Sequence, residues 1–368
     1  MCNRRRLVPI AFMLTFAAGA PADAQSRVLE DDKRYVNSIG MCFVHIPAGE
    51  FTMGSPETEP MRGSDEALHR VRISRSFLLC IHEVRVRDFA AFVQATNYQT
   101  SVELRPLDPK RYNNFKWLDE QSGRITWRNP GFPQTEKHPV VHVTWSDADT
   151  FCRWLSTKEK RHYQLPSEAQ WEYACRAGMR NTYPGGNNPE NVRSRANVGD
   201  YLYARHIENA KRLTGFTVNW YDWFPLDDGY TYTAPVGRYL PNGFGLYDMT
   251  GNVAEFCRDY LHTDAYRKSP RDDPDFSSNP DPNPVLSDRP LHVVRGGSFL
   301  SCPPHARIAN RAADVLDSAG PSLGFRVMIV IEPANAGLQG QAAATENNLK
   351  AENRERTRTL WKELFGEH

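Results

Sequence analysis

The sequence predicts an α+β fold that is irregular and loop-rich, with few short helices and small antiparallel sheets. Three observations carry this. The 368-residue chain holds 24 Gly and 26 Pro, too many breakers for a helical bundle or a solenoid. Aromatic residues make up 11% of it, with 8 Trp, which rules out a disordered chain. Short β-type runs recur between Gly/Pro/Asn-rich connections, and only a few segments show helical periodicity. Lys and Arg number 45 against 44 Asp and Glu, so the chain lacks the basic surface that counterion release from nucleic acid requires. No nucleic-acid partner is expected.

Residues 1–24 read as a secretory signal peptide. Arg4, Arg5 and Arg6 precede an apolar run from Leu7 to Ala20, and Ala22-Asp23-Ala24 offers small residues for cleavage before Gln25. The run is shorter than the ~20 residues of a spanning helix, and no later stretch reaches that length. The mature protein is therefore expected to be periplasmic or secreted, with no integral membrane segment. Cleavage removes Cys2 and leaves Cys42, Cys80, Cys152, Cys175, Cys257 and Cys302. An even set in an oxidising compartment permits disulfides, but the sequence does not choose their pairing. Residues 25–40 read as a polar leader. Residues 41–333 read as one large domain, because no biased linker interrupts them.

Three helices are signed within that domain. Phe89, Phe92, Val93 and Thr96 recur at helical spacing after Arg85. Ser146 and Asp149 have capping-box spacing ahead of a buried stripe of Phe151, Cys152 and Leu155. Pro166 sets the entry of the third, Ser167 and Gln170 cap it, Trp171, Ala174 and Cys175 share a face, and Gly178 closes it. Strands are expected at Val71–Ile73, Val140–Thr144, His292–Arg295 and Phe325–Ile331. His138 and His142 flank a strand-like Pro-Val-Val, which puts them on one face about 13 Å apart at a rise of ~3.3 Å per residue and prevents a shared ion. Residues 334–348 read as a flexible linker. Residues 349–368 place Leu360, Trp361, Leu364 and Phe365 on one side of an amphipathic helix, which docks on the parent domain or on a protein partner.

Six strings recur in family order and together resemble the formylglycine-generating enzyme, or sulfatase-modifying factor, family. They are Ile46 to Ser55 (IPAGEFTMGS), His138 to Trp145 (HPVVHVTW), Leu165 to Ala174 (LPSEAQWEYA), Asn242 to Glu255 (NGFGLYDMTGNVAE), Arg295 to Phe299 (RGGSF) and Leu323 to Arg326 (LGFR). The resemblance implies a C-type-lectin-like fold. The stretches Leu104 to Pro133 and Asp200 to Trp220 look enlarged relative to the family pattern and are candidate specificity loops.

The resemblance also implies two structural calcium sites. The first falls on the side chains of Asn197 and Asp228 with the carbonyls of Val198 and Tyr230. The second falls on Asp248, the carbonyls of Gly251 and Val253, and Glu255. Calcium takes six to eight oxygen ligands at ~2.3–2.6 Å, and irregular loops supply both carboxylates and carbonyls. The alternative is that Asp248 and Glu255 only cap turns.

At the redox site the chain departs from the family, whose two thiolates hold copper(I), an ion that soft sulfur favours. Those two positions are Ser301 and Ala306 here, so copper(I) is not expected. Cys302 is one residue late; a slip of one in an extended segment turns it to the other face, and a bulge at Pro303-Pro304 would be needed to turn it back. The two family tryptophans beside Glu255 become Ala254 and Phe256. Cys152 and Cys175 match the family's helix cysteines, but their usual partners fall on Arg311 and Val327. Ser298, Ser301, Cys302, His305 and Arg307 are the candidate catalytic residues. His305 is a second soft-borderline ligand or a plain surface histidine, and Arg326 lines the groove or is a buried residue satisfying loop carbonyls.

Common hydrolase, zinc, dithiol and phosphate motifs are absent from the sequence. Three function classes follow, with a peptide or peptide-derived ligand common to the first two. The first is a secreted oxidoreductase acting by a mechanism other than the two-cysteine copper site, similar to the pyoverdine-maturation oxidase branch of the family. The second is a noncatalytic binding or maturation-accessory module. The third is formylglycine generation on sulfatases, which the missing thiols oppose.

Overall fold

A computed structural model describes residues 27–29, 34–105, 125–203, 205, 224, 226–278, 280 and 289–331. The signal peptide, the flexible linker and the C-terminal amphipathic helix expected from the sequence lie outside them.

Apolar alternation builds a six-stranded antiparallel sheet from β1 (Arg27–Leu29), β2 (Arg34–Val36), β3 (Cys42–Ile46), β6 (Phe77–Cys80), β12 (Met328–Val330) and β7 (Tyr163–Gln164), in that spatial order. The polar leader thus supplies two strands, and the sheet begins before Met41. A hairpin of β4 (Gly49–Met53) and β5 (His69–Ile73) stands beside it. The third sheet runs β10 (Ala312–Val315), β9 (Leu291–Arg295), β8 (Ala254–Tyr260), β11 (Leu323–Phe325). Its β8–β11 pair is parallel, a departure from the expected antiparallel pairing.

Helix α1 spans Val86–Thr96 as its periodicity predicts, and α2 is a single turn at Ser101–Leu104. Helix α3 spans Trp145–Glu159, but its cap is Thr144 with Asp147, not Ser146 with Asp149. Both pairs have the same spacing. Tertiary contacts decide, because Asp147 also accepts hydrogen bonds from Tyr98 Oη and the Ser101 N–H. Helix α4 (Glu168–Arg176) carries the expected Ser167/Gln170 box, with Ser167 Oγ accepting from the Gln170 N–H at 3.2 Å. Its left-handed stop begins one residue before Gly178, at Ala177 with φ 43°.

Two further expectations are corrected. Val140–Thr144 is not a strand: His142 has φ 56° and donates from Nε2 to the Pro130 carbonyl, so the strand spacing assumed between His138 and His142 does not hold. The run from Phe325 to Ile331 breaks at Arg326, where the chain leaves the four-stranded sheet and enters the six-stranded one. Phe43, Phe89, Phe92, Phe151, Tyr163 and Phe325 fill one core, with Phe89 and Phe151 stacked at 5.9 Å. Trp171, Met249, Cys257 and Met328 fill a second core around α4. The segment carrying the candidate site leaves β9 and returns as β10, over this second core.

Candidate functional site

Gly296 and Gly297 have φ 91° and 68°, and a Cβ on Gly297 would meet the His305 carbonyl at 2.7 Å. This double glycine lets the chain turn out of β9. The next four residues then close on themselves: the Ser298 N–H donates to Ser301 Oγ at 2.9 Å and the Ser301 N–H to the Ser298 carbonyl at 2.8 Å. Residues Pro303–Ala306 form a 3₁₀ turn with Cys302 as its N-cap. The expected extended segment and bulge are therefore replaced by two consecutive turns.

The two copper positions are occupied by other work. The Ser301 hydroxyl closes its turn, and Ala306 is fully buried among Tyr183, Val192, Ala196, Val198, Phe224 and Leu226. Cys302 is half-buried and His305 exposed. Arg307 is 1% exposed and turned away from the surface. Its Nη1 and Nη2 donate to Glu66 at 2.7 and 2.6 Å, its Nη1 to Glu59 at 2.8 Å, and its Nε to the Pro304 carbonyl at 3.0 Å. Burial alone would raise the Glu66 pKa, but hydrogen bonds from Arg307, Ser55 and the Gly63 N–H outweigh it and hold the carboxyl below its ordinary value. The structure does not gather Ser298, Ser301, Cys302, His305 and Arg307 into one reactive cluster.

Arg311, where the family resemblance implies a cysteine, holds an ion pair. It donates to both Glu168 oxygens at 2.7 and 2.9 Å and to Asp65 at 3.2 Å. Arg295 joins Glu168 and Glu172 in the same buried network, at 3.0 and 2.5 Å. Cys80, Cys152, Cys175 and Cys257 are buried thiols with no disulfide. Burial pushes the Cys80 and Cys175 thiols up to about 12, which keeps them protonated and inert.

The residues of the first predicted calcium set lie in one loop, joined through the Val198 and Tyr230 N–H groups rather than through their carbonyls. The Val198 N–H donates to Asp228 Oδ2 at 2.8 Å and the Tyr230 N–H to Oδ1 at 3.0 Å. Asn197 is fully buried, its Nδ2 donates to the Tyr232 carbonyl and to Asn252 Oδ1, and its Oδ1 has no partner among the described residues. Burial, then the neighbouring Asp200, push the Asp228 carboxyl up to about 7. An orphaned buried amide oxygen, one residue from the Val198 N–H that meets the Asp228 carboxylate, belongs to an all-oxygen donor set of the kind a hard cation takes.

The second set is rearranged. Glu255 meets Arg326 bidentately, with the shortest contact at 2.7 Å, and accepts from Trp171 Nε1 at 2.8 Å. Arg326 also satisfies the carbonyls of Cys80 and Tyr247, the structural role open to it from the sequence. Asp248 accepts from the Gly237 N–H at 2.6 Å and lies beside Glu83. Glu83 is fully buried, with one oxygen unpartnered among the described residues. Its pKa is driven far up by burial and by Asp248. The open oxygen here belongs to Glu83, beside Asp248, and not to Glu255. The Asn252 side chain links the two sets, donating to Glu83 and accepting from Asn197.

The sequence profile of the sulfatase-modifying factor enzyme 1-like domain matches residues 30–331. The chain belongs to this family. The formylglycine-generating enzyme of Thermomonospora curvata is 32% identical over 324 residues, covering 80% of this chain and 95% of that protein. The inactive C-alpha-formylglycine-generating enzyme 2 of Mus musculus is 28% identical, covering 77% and 84%. The solved structure of PvdO from Pseudomonas aeruginosa superposes with a TM-score of 0.62 at 26% identity, covering 85% of this chain and all of that one. This chain is a divergent member with the family's C-type-lectin-like fold.

Sequence reasoning missed three residues in this sulfatase-modifying-factor domain. Glu83 lies outside every quoted string, Asn252 falls inside one without a role of its own, and Asp200 only opens an enlarged stretch. Asp200 and Asp228 stand beside a cleft of about 470 Å³ lined by Tyr201, Leu202, Arg205 and Asp227. That cleft approaches the Ser298–Cys302 turn through Tyr203, whose ring lies 6.0 Å from Phe299. No local signal announces any of these placements. Among the described residues, no helix is long and apolar enough to cross a membrane.

Proposed function

We propose that this chain is a secreted, calcium-braced member of the sulfatase-modifying factor family that binds a peptide or peptide-derived ligand without making formylglycine at a two-cysteine copper centre. One observation carries the reading: Ser301 and Ala306 stand at the copper positions, the first closing a turn and the second packed in an apolar cluster. Neither supplies a soft ligand, and the neighbouring cation Arg307 is held inside by two glutamates. The cleft at Tyr201, Leu202, Arg205 and Asp227 is the ligand surface in this reading, offering apolar contact beside one charge of each sign. Calcium at Asn197 and Asp228, with the Val198 and Tyr230 carbonyls, supplies charge balance to the loop behind that cleft. Asp248, with the Gly251 and Val253 carbonyls and the neighbouring Glu83, would hold a second ion. The basic and apolar leader from Arg4 to Ala24 supports export to the periplasm or medium.

A second reading is favoured by Cys302, a half-buried thiol at the head of the Pro303–Ala306 turn. In it the chain is an oxidoreductase that works without the copper pair. One experiment separates the readings. The full chain is loaded with copper(I), incubated with a Cys-x-Pro-x-Arg peptide in air, and the peptide is followed by mass spectrometry while oxygen is monitored. Binding without turnover is expected. An aldehyde product would overturn the proposal, and oxygen uptake that disappears in Cys302→Ser would establish the second reading in its place.

A further inference from the structure

The enlarged stretch opens with Asp200, a fully buried carboxylate with no role in the copper or calcium sets described above. Its Oδ2 accepts the Asp228 N–H at 2.8 Å and its Oδ1 accepts the Tyr203 N–H at 3.0 Å. Backbone bonds from Phe224 to Gly199 at 3.0 Å and from Tyr201 to Leu226 at 3.2 Å zip the two sides of the loop together around it. Of the three acids in this loop Asp200 is the buried one, Asp228 being half-buried and Asp227 exposed, and its two oxygens are held by backbone N–H groups of both sides of the loop.

A second observation is independent of that acidic group. Asn197 is fully buried and its Oδ1 lacks a partner among the described residues. Both acceptors of its Nδ2 are oxygens, the Tyr232 carbonyl and Asn252 Oδ1. Turning the amide over would set oxygen against oxygen, so the orphan is not a matter of amide orientation. Asn197 is joined to Val198, whose N–H already meets Asp228.

We propose that Asp200 is a positioning residue that couples a calcium ion at Asn197 and Asp228 to the loop bounding the Ser298–Cys302 turn. The inference rests on the calcium reading above. Asp200 adds negative charge behind Asp228, and calcium affinity in loops rises with ligand charge and rigidity. Through its other oxygen it holds the Tyr203 N–H, and Tyr203 packs on Phe299. The Gly199 N–H donates to the Ser301 carbonyl at 2.9 Å, a second tie to the same turn. An ion that fixes Asp228 therefore fixes the cleft wall through Asp200.

Calorimetric titration of the full chain with calcium chloride tests this. Asp200→Asn is expected to bind calcium about tenfold more weakly than wild type, a change of about 1.4 kcal/mol, and Asp200→Glu, which keeps the charge, to stay within about threefold. A merely structural role would lower the melting temperature of the calcium-free protein and leave its calcium Kd unchanged. Hydrogen exchange on the wild type gives a measurement that no folding defect can obscure: calcium should slow the Tyr203 amide along with that of Asp228. Equal calcium affinity in Asp200→Asn, or slowing at Asp228 but not at Tyr203, overturns the role of Asp200 alone. No calcium response in the wild type overturns the calcium reading as well.

Discussion

Two loops that meet at Ser301 handle buried charge in opposite ways. In the loop from Ser298 to Arg311 the charged side chains are answered: Arg307 by Glu59 and Glu66, Arg311 by Glu168 and Asp65. In the loop from Asn197 to Asp228 a buried amide oxygen has no described partner, and acids crowd one carboxylate. The first loop is the one where the family resemblance places redox chemistry, and in this chain it is closed by its own ion pairs. The second keeps a buried amide oxygen without a partner among the described residues, the condition under which a bound ion would add stability. The contrast teaches that a site inherited by alignment and a site open to a ligand are different properties, distinguished by whether the buried polar groups are already paired.

The sharpest way to break this contrast is to open the closed loop. Arg307→Met leaves Glu59 and Glu66 buried without their cation, and is expected to cost about 3–5 kcal/mol in urea unfolding. A cost below about 1 kcal/mol, the range of exposed pairs, would show that the loop is not held by these contacts. The same contacts set an acid limit. Because the folded pKa of Glu66 is depressed, its stabilisation is fully present above the unfolded value of about 4.3 and is lost as pH falls through the lower folded value. Urea midpoints measured between pH 6 and pH 3 should therefore drop for wild type, and more steeply than for Glu66→Gln.

Removing calcium addresses the open loop. With free calcium at about a hundred times Kd, binding contributes about 2.7 kcal/mol, so a chelator should lower the melting temperature by several degrees. Arg307→Met should show the same calcium-dependent shift as wild type if the two loops act independently, and a reduced shift would mean that they are coupled through Ser301. The smallest effect lies outside both loops. Ser167→Ala removes the α4 cap and should cost about 1 kcal/mol, in a helix whose first residue, Glu168, receives both Arg295 and Arg311. A loss several times larger would mean that the cap also positions Glu168 for the arginine network.

What was legible in the sequence followed from local chemistry. The Ser167/Gln170 box and the stripe of Phe89, Phe92 and Val93 each act within a few residues, and both stand in the structure as read. The loss of the copper thiols was equally legible, since it needs only residue identity. The α3 cap was displaced by two residues because Ser146/Asp149 and Thr144/Asp147 are locally equivalent, and only the contacts from Tyr98 and Ser101 separate them. Arg307 reads as a candidate catalytic residue by its position, yet lies inside because Glu59 and Glu66 come from a hairpin loop more than 240 residues away in the chain.

The sequence by itself determined the family, the order of its motifs, the loop-rich character and the presence of Ser301 and Ala306 where the family resemblance places thiolates. Only the tertiary structure decided which arginines are buried, where the chain changes sheets at Arg326, and which oxygen of Asn197 is left unanswered. The reason is physical. Propensity, capping and residue identity are properties of neighbours along the chain, whereas burial and pairing depend on groups brought together from distant parts of it, and a site is defined by the latter.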